Sequence, residues 1–358
     1  MEIQHLKNGI EAGVTFLHKQ QRPSGQFRLR SSVDVFQRTD NTFETLTFLT
    51  SCVADCLRWV PGADARDIRR RVIDALAVEV DGPGLCRYFA REQTLPIPTV
   101  GVSVPLSLVP DVDTTSCVAF VLEREGISTL STAALLANRT PDGLFQTWFL
   151  AEPPAFDDML PFLYMVPQGN DVCCGINANA LLCLGECEAT RPVSEYLQRT
   201  FCGPRPEEHS AYYTDETVLY YMYSRAYREG ARSLGTARDT ILERLLSLQQ
   251  PDGSFGTALR TAMAVCVLAN FEVTGRAQAD AVRSLLDCQG ADGSWPSAAF
   301  YTWDRRKTPM QLFLCSSGTR REIRLQGGPS APDIKHFGSE EVTTAYCLEA
   351  LSRFAGAQ

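Results

Sequence analysis

Apolar positions along the 358-residue chain recur mostly at helical spacing, and the helices they predict fall into two alternating kinds. The first kind is amphipathic and covers residues 5–20, 64–79, 128–139, 191–201, 235–249 and 277–288. The second is more apolar and rich in small residues, and covers 42–57, 112–124, 175–187, 214–228, 258–271 and 340–354. A helix with one apolar stripe lies on an outer surface, whereas a helix apolar all round is buried. Six such pairs predict an all-α fold: a single (α/α)6 barrel, or toroid, spanning 1–358 as one domain, with the apolar set as an inner ring around a central apolar cavity. An open helical solenoid is the alternative, because repetition alone does not impose closure.

A second repeat punctuates the first. The segments FLHKQQRPSGQF (16–27), LLANRTPDGLF (135–145), LLSLQQPDGSF (245–255) and LLDCQGADGSW (285–295) each end a helix, make a polar turn, and place an aromatic two residues after a Gly. Pro-Asp-Gly and Ala-Asp-Gly stop the helix, and Gly gives the backbone freedom for the reversal. The aromatic that follows is expected to pack back on the helix just ended. Three long insertions, about 80–111, 141–172 and 293–339, all precede inner helices, so they are expected to gather at one mouth of the barrel. Long connections in a compact domain usually serve function.

The run Pro110-Asp111-Val112-Asp113-Thr114-Thr115-Ser116 opens the second inner helix. Acids in a first helical turn suit the helix dipole, and capping is a sufficient account of Asp111. Asp113 sits where the apolar ring would surround it. Burial disfavours a charged carboxylate, while the helix N-terminus stabilises it, which together give an acid that is protonated yet strong. Such a group suits proton transfer to an alkene. Gly175-Ile176-Asn177-Ala178-Asn179-Ala180 opens the next inner helix. Being two residues apart, Asn177 and Asn179 cannot both face inward. One of them is expected to orient the Asp113 carboxyl, and the other to cap.

Composition narrows the partners. A formal net charge of -8 and no long Lys/Arg block exclude general nucleic-acid binding. The short basic cluster Arg320-Arg321-Glu322-Ile323-Arg324 reads as a solvated loop. The 13 cysteines lie mostly in apolar runs, as reduced thiols of a cytoplasmic protein do, and Met1–Gly13 has no signal-peptide core. Trp148, Tyr221, Trp295, Tyr301 and Trp303, with Thr114, are expected to face the substrate. An aromatic face stabilises a cation by about 0.5–2 kcal/mol.

The Asp-x-Asp-Thr-Thr run resembles the Asp-x-Asp-Asp motif of class II terpene cyclases, with Thr114 in place of the third Asp, as in some drimane-type sesquiterpene cyclases. The Gly-x-aromatic turns resemble the QW repeats of the same superfamily. The likeness covers most of the chain as one β-type domain without the usual second helical domain, so the chain is similar to single-domain class II cyclases, including those of meroterpenoid pathways. The resemblance implies that Asp113 is the general acid, that the substrate is a lipophilic linear polyprenyl chain, here one bearing an aromatic head group, and that no cofactor is required. A prenyl diphosphate substrate is the alternative. It would call for basic residues at the mouth, such as Arg305, Arg306, Lys307, Arg320 and Arg321, and for magnesium. Polyene substrates also imply peripheral contact with membranes, with Leu144, Phe145, Trp148, Phe149 and Leu150 as a portal. Zinc-dependent prenyl transfer would use Asp171, Cys173 and His336. Glycoside cleavage would need two positioned carboxylates, and the adjacent pairs Asp157-Asp158 and Glu340-Glu341 read instead as solvated or capping groups. Asp157-Asp158 also lacks the third acid of an ionising terpene synthase. A non-catalytic repeat protein would leave a buried Asp-x-Asp without a purpose. Oligomeric state is not encoded in any of these patterns.

Overall fold

A computed structural model describes residues 3–34, 42–97, 101–127, 130–151, 161–316, 319–323 and 333–357. Its helices run in chain order as α1 (Ile3–Gln20), α2 (Thr47–Leu57), α3 (Ala63–Glu79), α4 (Val112–Glu123), α5 (Thr132–Ala137), α6 (Cys174–Leu184), α7 (Arg191–Cys202), α8 (Glu216–Arg228), α9 (Arg238–Ser247), α10 (Ala258–Asn270), α11 (Arg276–Asp287) and α12 (Glu340–Gly356). The even-numbered helices pack in sequence, α2 on α4, α4 on α6, α6 on α8, α8 on α10 and α10 on α12, and α12 returns to α2. The odd-numbered helices cover them, with α1 against α12, α3 and α11, and α7 against α6 and α9. The pattern of burial follows the sequence. In α4 every residue from Val112 to Leu122 is buried. In α7 the apolar part is one stripe, Val193, Leu197 and Phe201, spaced by four.

The Gly-x-aromatic turns tie the outer layer together. Gly293 has φ +90°, a conformation that side chains resist, and a Cβ there would lie 2.2 Å from the Ala12 carbonyl oxygen on α1. A glutamine at the end of the preceding helix then joins the turn to the neighbouring helix. The Gln289 amide donates to the Gly293 carbonyl (3.0 Å) and to Gly9 of α1 (2.9 Å). Gln249 does the same for Gly253 (2.9 Å) and Ala277 of α11 (2.8 Å), and Gln21 for Gly25 (2.9 Å) and Ile68 of α3 (3.0 Å). The aromatic plugs back as expected: the Trp295 indole N–H donates to the carbonyl of Leu285, ten residues earlier (2.7 Å).

The fold is not all-α. Nine strands lie among the described residues: β1 (Arg28–Ser32), β2 (Thr42–Thr45), β3 (Thr94–Ile97), β4 (Val102–Leu108), β5 (Phe162–Pro167), β6 (Tyr301–Asp304), β7 (Met310–Ser316), β8 (Thr319–Ile323) and β9 (Ile334–Gly338). They form a four-stranded sheet, β2-β1-β9-β6, and a five-stranded one, β3-β4-β5-β7-β8. Seven of the nine fall within the three insertions. Strands of four to seven residues are too short to stand out against helical periodicity. The other two, β1 and β2, pair antiparallel with Leu29 opposite Glu44, so the first predicted inner-type segment, 42–57, is a strand before it is a helix. The third outer segment, 128–139, reduces to the six residues of α5.

No helix of the described residues is long and apolar enough to cross a membrane. All thirteen cysteines are free thiols. Phe145 and Phe149 are buried, because they pack into the core beneath the loop, so of the expected apolar portal only Leu150 is well exposed.

Candidate active site

A cavity of about 590 Å³ lies where the N-terminal ends of the inner helices meet the two sheets. Phe48 on α2, Asp113 and Thr114 on α4, and Ile176 on α6 form the helical side. Leu106, Leu108, Met165 and Leu312 contribute the five-stranded sheet, and Tyr301, Trp303 and Phe337 the four-stranded one. Its volume lies within the usual range for small-molecule sites, roughly 300–1,000 Å³.

Asp111 caps α4, accepting from the Thr114 backbone N–H at 2.6 Å through Oδ1. Its Oδ2 is buried with no partner among the described residues. Burial pushes the Asp111 carboxyl up to about 7, against the pull of the Thr114 hydrogen bond and with the help of the neighbouring Asp113 charge. Asp113 lies one half-turn on. Burial raises it as well, opposed by three groups: Tyr213, Asn179 and Arg225. The Tyr213 hydroxyl donates to Asp113 Oδ2. The Asn179 amide donates to Asp113 Oδ1 at 2.6 Å.

The orientation of Asn179 is fixed from behind. Arg225 Nη2, on α8, donates to Asn179 Oδ1 at 2.7 Å. A guanidinium has no acceptor, so the amide oxygen must face Arg225 and the NH₂ must face Asp113. Arg225 is held in turn by Asp55 of α2 (3.0 Å), which also takes Arg58 (2.7 Å). Four inner helices therefore converge on one carboxyl group. The Asn179 amide can only donate to Asp113 Oδ1, whereas the Tyr213 hydroxyl at Oδ2 can rotate, so the neutral acid is best accommodated with its proton on Oδ2. Both hydrogen bonds stabilise the carboxylate left after proton release, which keeps a buried acid strong.

Asn177 faces the other way. Its Oδ1 accepts from the Phe145 N–H (2.9 Å) and its amide donates to the carbonyls of Phe145 and Cys173 (3.0 Å each), which ties the 135–145 turn to α6. Of the expected substrate-facing residues, Thr114, Trp148, Tyr301 and Trp303 line the cavity. Tyr221 and Trp295 do not line it. Tyr221 is used lower in the ring, donating to Glu349 at 2.9 Å, and Trp295 is the packing aromatic of its repeat. Sequence reasoning missed Tyr213, Arg225 and Asp55. The signal for Asp55 is that it is the lone charged residue of α2.

The zinc reading does not assemble. Asp171 accepts from Thr147 (2.6 Å) and Tyr212 (2.9 Å), Cys173 contacts Ser210 (3.2 Å), and His336 contacts Thr302 (3.0 Å). Among the described residues no three His, Cys, Asp or Glu side chains are grouped as a metal site requires. Asp157 and Asp158 lie outside the described residues. Of the basic residues considered for a diphosphate, only Arg305 lines the cavity, and it is paired with Asp333 at 3.1 Å. Arg306 is held by Asp304, and Arg320 lies over the Phe313 ring at 3.7 Å.

No protein-family model and no curated protein sequence matches the chain. Solved structures do. The type II terpene cyclase MstE from Scytonema superposes with a TM-score of 0.69 at 17% identity, over 100% of both chains. That protein is also known in complex with the substrate geranylgeranyl dihydroxybenzoate and the product merosterolic acid A. An ent-copalyl diphosphate synthase from Streptomyces platensis matches 87% of this chain and 50% of its own, at a TM-score of 0.53 and 18% identity. An unsaturated glucuronyl hydrolase specific for heparin matches 99% of this chain and 98% of its own, at a TM-score of 0.55 and 12% identity. The chain thus has, over its full length, the fold of the type II terpene cyclase MstE.

Proposed function

We propose that this chain is a class II terpenoid cyclase built as one (α/α)6 toroid over residues 1–358, in which Asp113 protonates the terminal alkene or epoxide of a linear polyprenyl chain. The observation that carries this reading is the Asp113 carboxyl, buried at the floor of an aromatic cavity and held by two donors. In the first step the Asp113 O–H breaks and a C–H bond forms at the alkene. The electron pair comes from the π bond, and a tertiary cation remains. Asn179 and Tyr213 stabilise the new carboxylate, and the aromatic wall stabilises the cation by about 0.5–2 kcal/mol per well-placed ring. Exclusion of water protects the cation until rings have closed.

The charge of the mouth favours a prenylated aromatic over a prenyl diphosphate. Among the described residues two cations, Arg305 and Lys335, line it together with two carboxylates, Glu44 and Glu322. A diphosphate would require a clear excess of positive charge, whereas a phenol or a single carboxylate fits this balance. The fold of MstE, whose substrate is geranylgeranyl dihydroxybenzoate, supports the same choice. A sugar substrate, as for the heparin-specific hydrolase, fits poorly with a wall of Leu, Met, Phe and Trp. We further propose a cytoplasmic enzyme that meets its lipophilic substrate at membrane surfaces. The test is incubation with a panel of prenylated dihydroxybenzoates and free prenyl diphosphates, with products identified by mass spectrometry. Cyclised product from the aromatics supports the reading. Turnover of the diphosphates alone, or of neither class, overturns it.

A further inference from the structure

Cyclisation initiated by an acid has no net change in protons, so a second group must take a proton when the last cation collapses. Among the described residues four carboxyl side chains line the cavity: Asp111, Asp113, Glu44 and Glu322. Asp113 has just lost its proton, but it lies where the reaction starts. Asp111 is on the same half-turn, where the reaction starts, and burial pushes it up to about 7, so only part of it is an available base at neutral pH. Glu322 on β8 is exposed and solvated. Glu44 on β2 is partly buried, with one weak hydrogen-bond contact among the described residues, from Ser31 (3.4 Å), and the Lys335 charge beside it.

The aromatic wall runs from the acid to Glu44. Tyr213, bonded to Asp113, has its ring 6.4 Å from that of Tyr301. The Tyr301 hydroxyl meets the hydroxyl of Tyr88, with the two rings nearly perpendicular at 6.2 Å. Tyr301 is further stacked on Phe337 (4.8 Å, 7°) and edge-on to Phe48 (6.1 Å, 73°). The Glu44 charge acts on both phenols of the Tyr88–Tyr301 pair. A polyprenyl chain bound with its terminal alkene at Asp113 would lie along this wall, and each ring closure moves the positive charge further from the acid.

We infer that Glu44 is the base that ends the reaction, and that the Tyr88–Tyr301 pair holds the final cation against it. This rests on the cyclase reading. In the step, a C–H bond next to the cationic carbon breaks, its electron pair becomes the new C=C bond, and the proton passes to the Glu44 carboxylate. If a head-group phenol captures the cation instead, its oxygen forms the C–O bond and the phenolic proton goes to the same carboxylate. Solvent at the mouth then removes the proton from Glu44. Burial raises the Glu44 carboxyl above its ordinary range, against Lys335 and Ser31, which makes its carboxylate the stronger proton acceptor.

The experiment compares wild type, Glu44→Gln and Glu44→Asp on geranylgeranyl dihydroxybenzoate, with all products quantified. Glu44→Gln keeps shape but cannot take the proton. Formation of the wild-type product should fall about 10²-fold, the scale of losing one proton-transfer group. Alcohols formed by water capture and less cyclised alkenes should take its place. Glu44→Asp should restore part of the wild-type product. An unchanged product profile in Glu44→Gln overturns the inference, as does loss of all turnover in a variant whose melting temperature matches wild type. Absence of turnover by wild type instead would count against the cyclase reading itself.

Discussion

Asp113 and Glu44 are carboxyl groups on the wall of one cavity, yet they are built in opposite ways. Asp113 sits on a helix, and residues from three other elements of the ring reach it: Asn179 from α6, Arg225 behind it from α8, and Tyr213 from the loop before α8. Glu44 sits on a strand, with Ser31 as a weak partner and a cation beside it. The first arrangement fixes a proton at one oxygen and in one direction. The second leaves a partly buried carboxylate with acceptor capacity to spare among the described residues. In the reaction proposed above, helices packed in a ring would supply the precision needed to start a cation, and the sheets built from insertions would supply the wall along which it travels and stops.

The largest expected effect is at the first of these ends. Asp113→Asn keeps shape and removes the transferable proton, so cyclisation should fall by more than about 10⁴-fold, while substrate still protects the protein in a thermal-shift assay. Arg225→Gln comes next. It frees Asn179 to turn and leaves Asp55 short of a partner, so kcat should fall about 10–100-fold through misorientation of the acid. Stability should drop by up to about 3 kcal/mol, measured by urea unfolding. Because Arg225 acts through Asn179, KM should hardly move. Equal losses in kcat and in folded fraction would make Arg225 merely structural. Tyr213→Phe removes one donor from the developing carboxylate, worth about 1 kcal/mol, so a several-fold loss of rate is expected.

The smallest effects concern Asp111. Its carboxyl is raised from 3.8 to about 7 by burial, so the folded state holds this proton more tightly than the unfolded chain does. That contribution to stability is full below 3.8 and is lost as pH rises through about 7. The melting temperature should therefore decline over that window in wild type and decline less in Asp111→Asn. The rate should follow, since an ionised Asp111 beside Asp113 opposes formation of a second negative charge. The falling limb of the pH–rate profile near pH 7 should move upward in Asp111→Asn, with the low-pH rate changed only a few-fold. An unmoved limb would mean that Asp111 is a cap and nothing more.

The buried Asp113, its helix and the paired-helix plan were legible because each is local: Asp111-Val112-Asp113 opens a helix buried along almost its whole length, and the period marks inside from outside. The partners of the acid were not legible, because Asn179, Tyr213 and Arg225 lie 66, 100 and 112 positions away and are joined only when the ring packs. The two asparagines were separable only in part. Helical geometry says that one faces inward, but the choice of Asn179 depends on Arg225 lying behind it and on the Phe145 backbone claiming Asn177. Trp295 shows a pattern applied inconsistently: its place in the Gly-x-aromatic repeat already assigns it to packing on the preceding helix, as observed. The strands escaped because runs of four to seven residues inside long polar connections carry little periodicity, although they hold most of the cavity wall.

Cyclisation of a substrate with a terminal alkene, not an epoxide, in D₂O tests the central claim most directly. If Asp113 starts the reaction, its exchangeable position is deuterated before each turnover, and the product should gain one deuterium at the carbon that was protonated, seen as a mass increase of about one unit with its site fixed by NMR. An undeuterated cyclic product would show that the cation arises without proton transfer from an exchangeable acid, and would contradict the account.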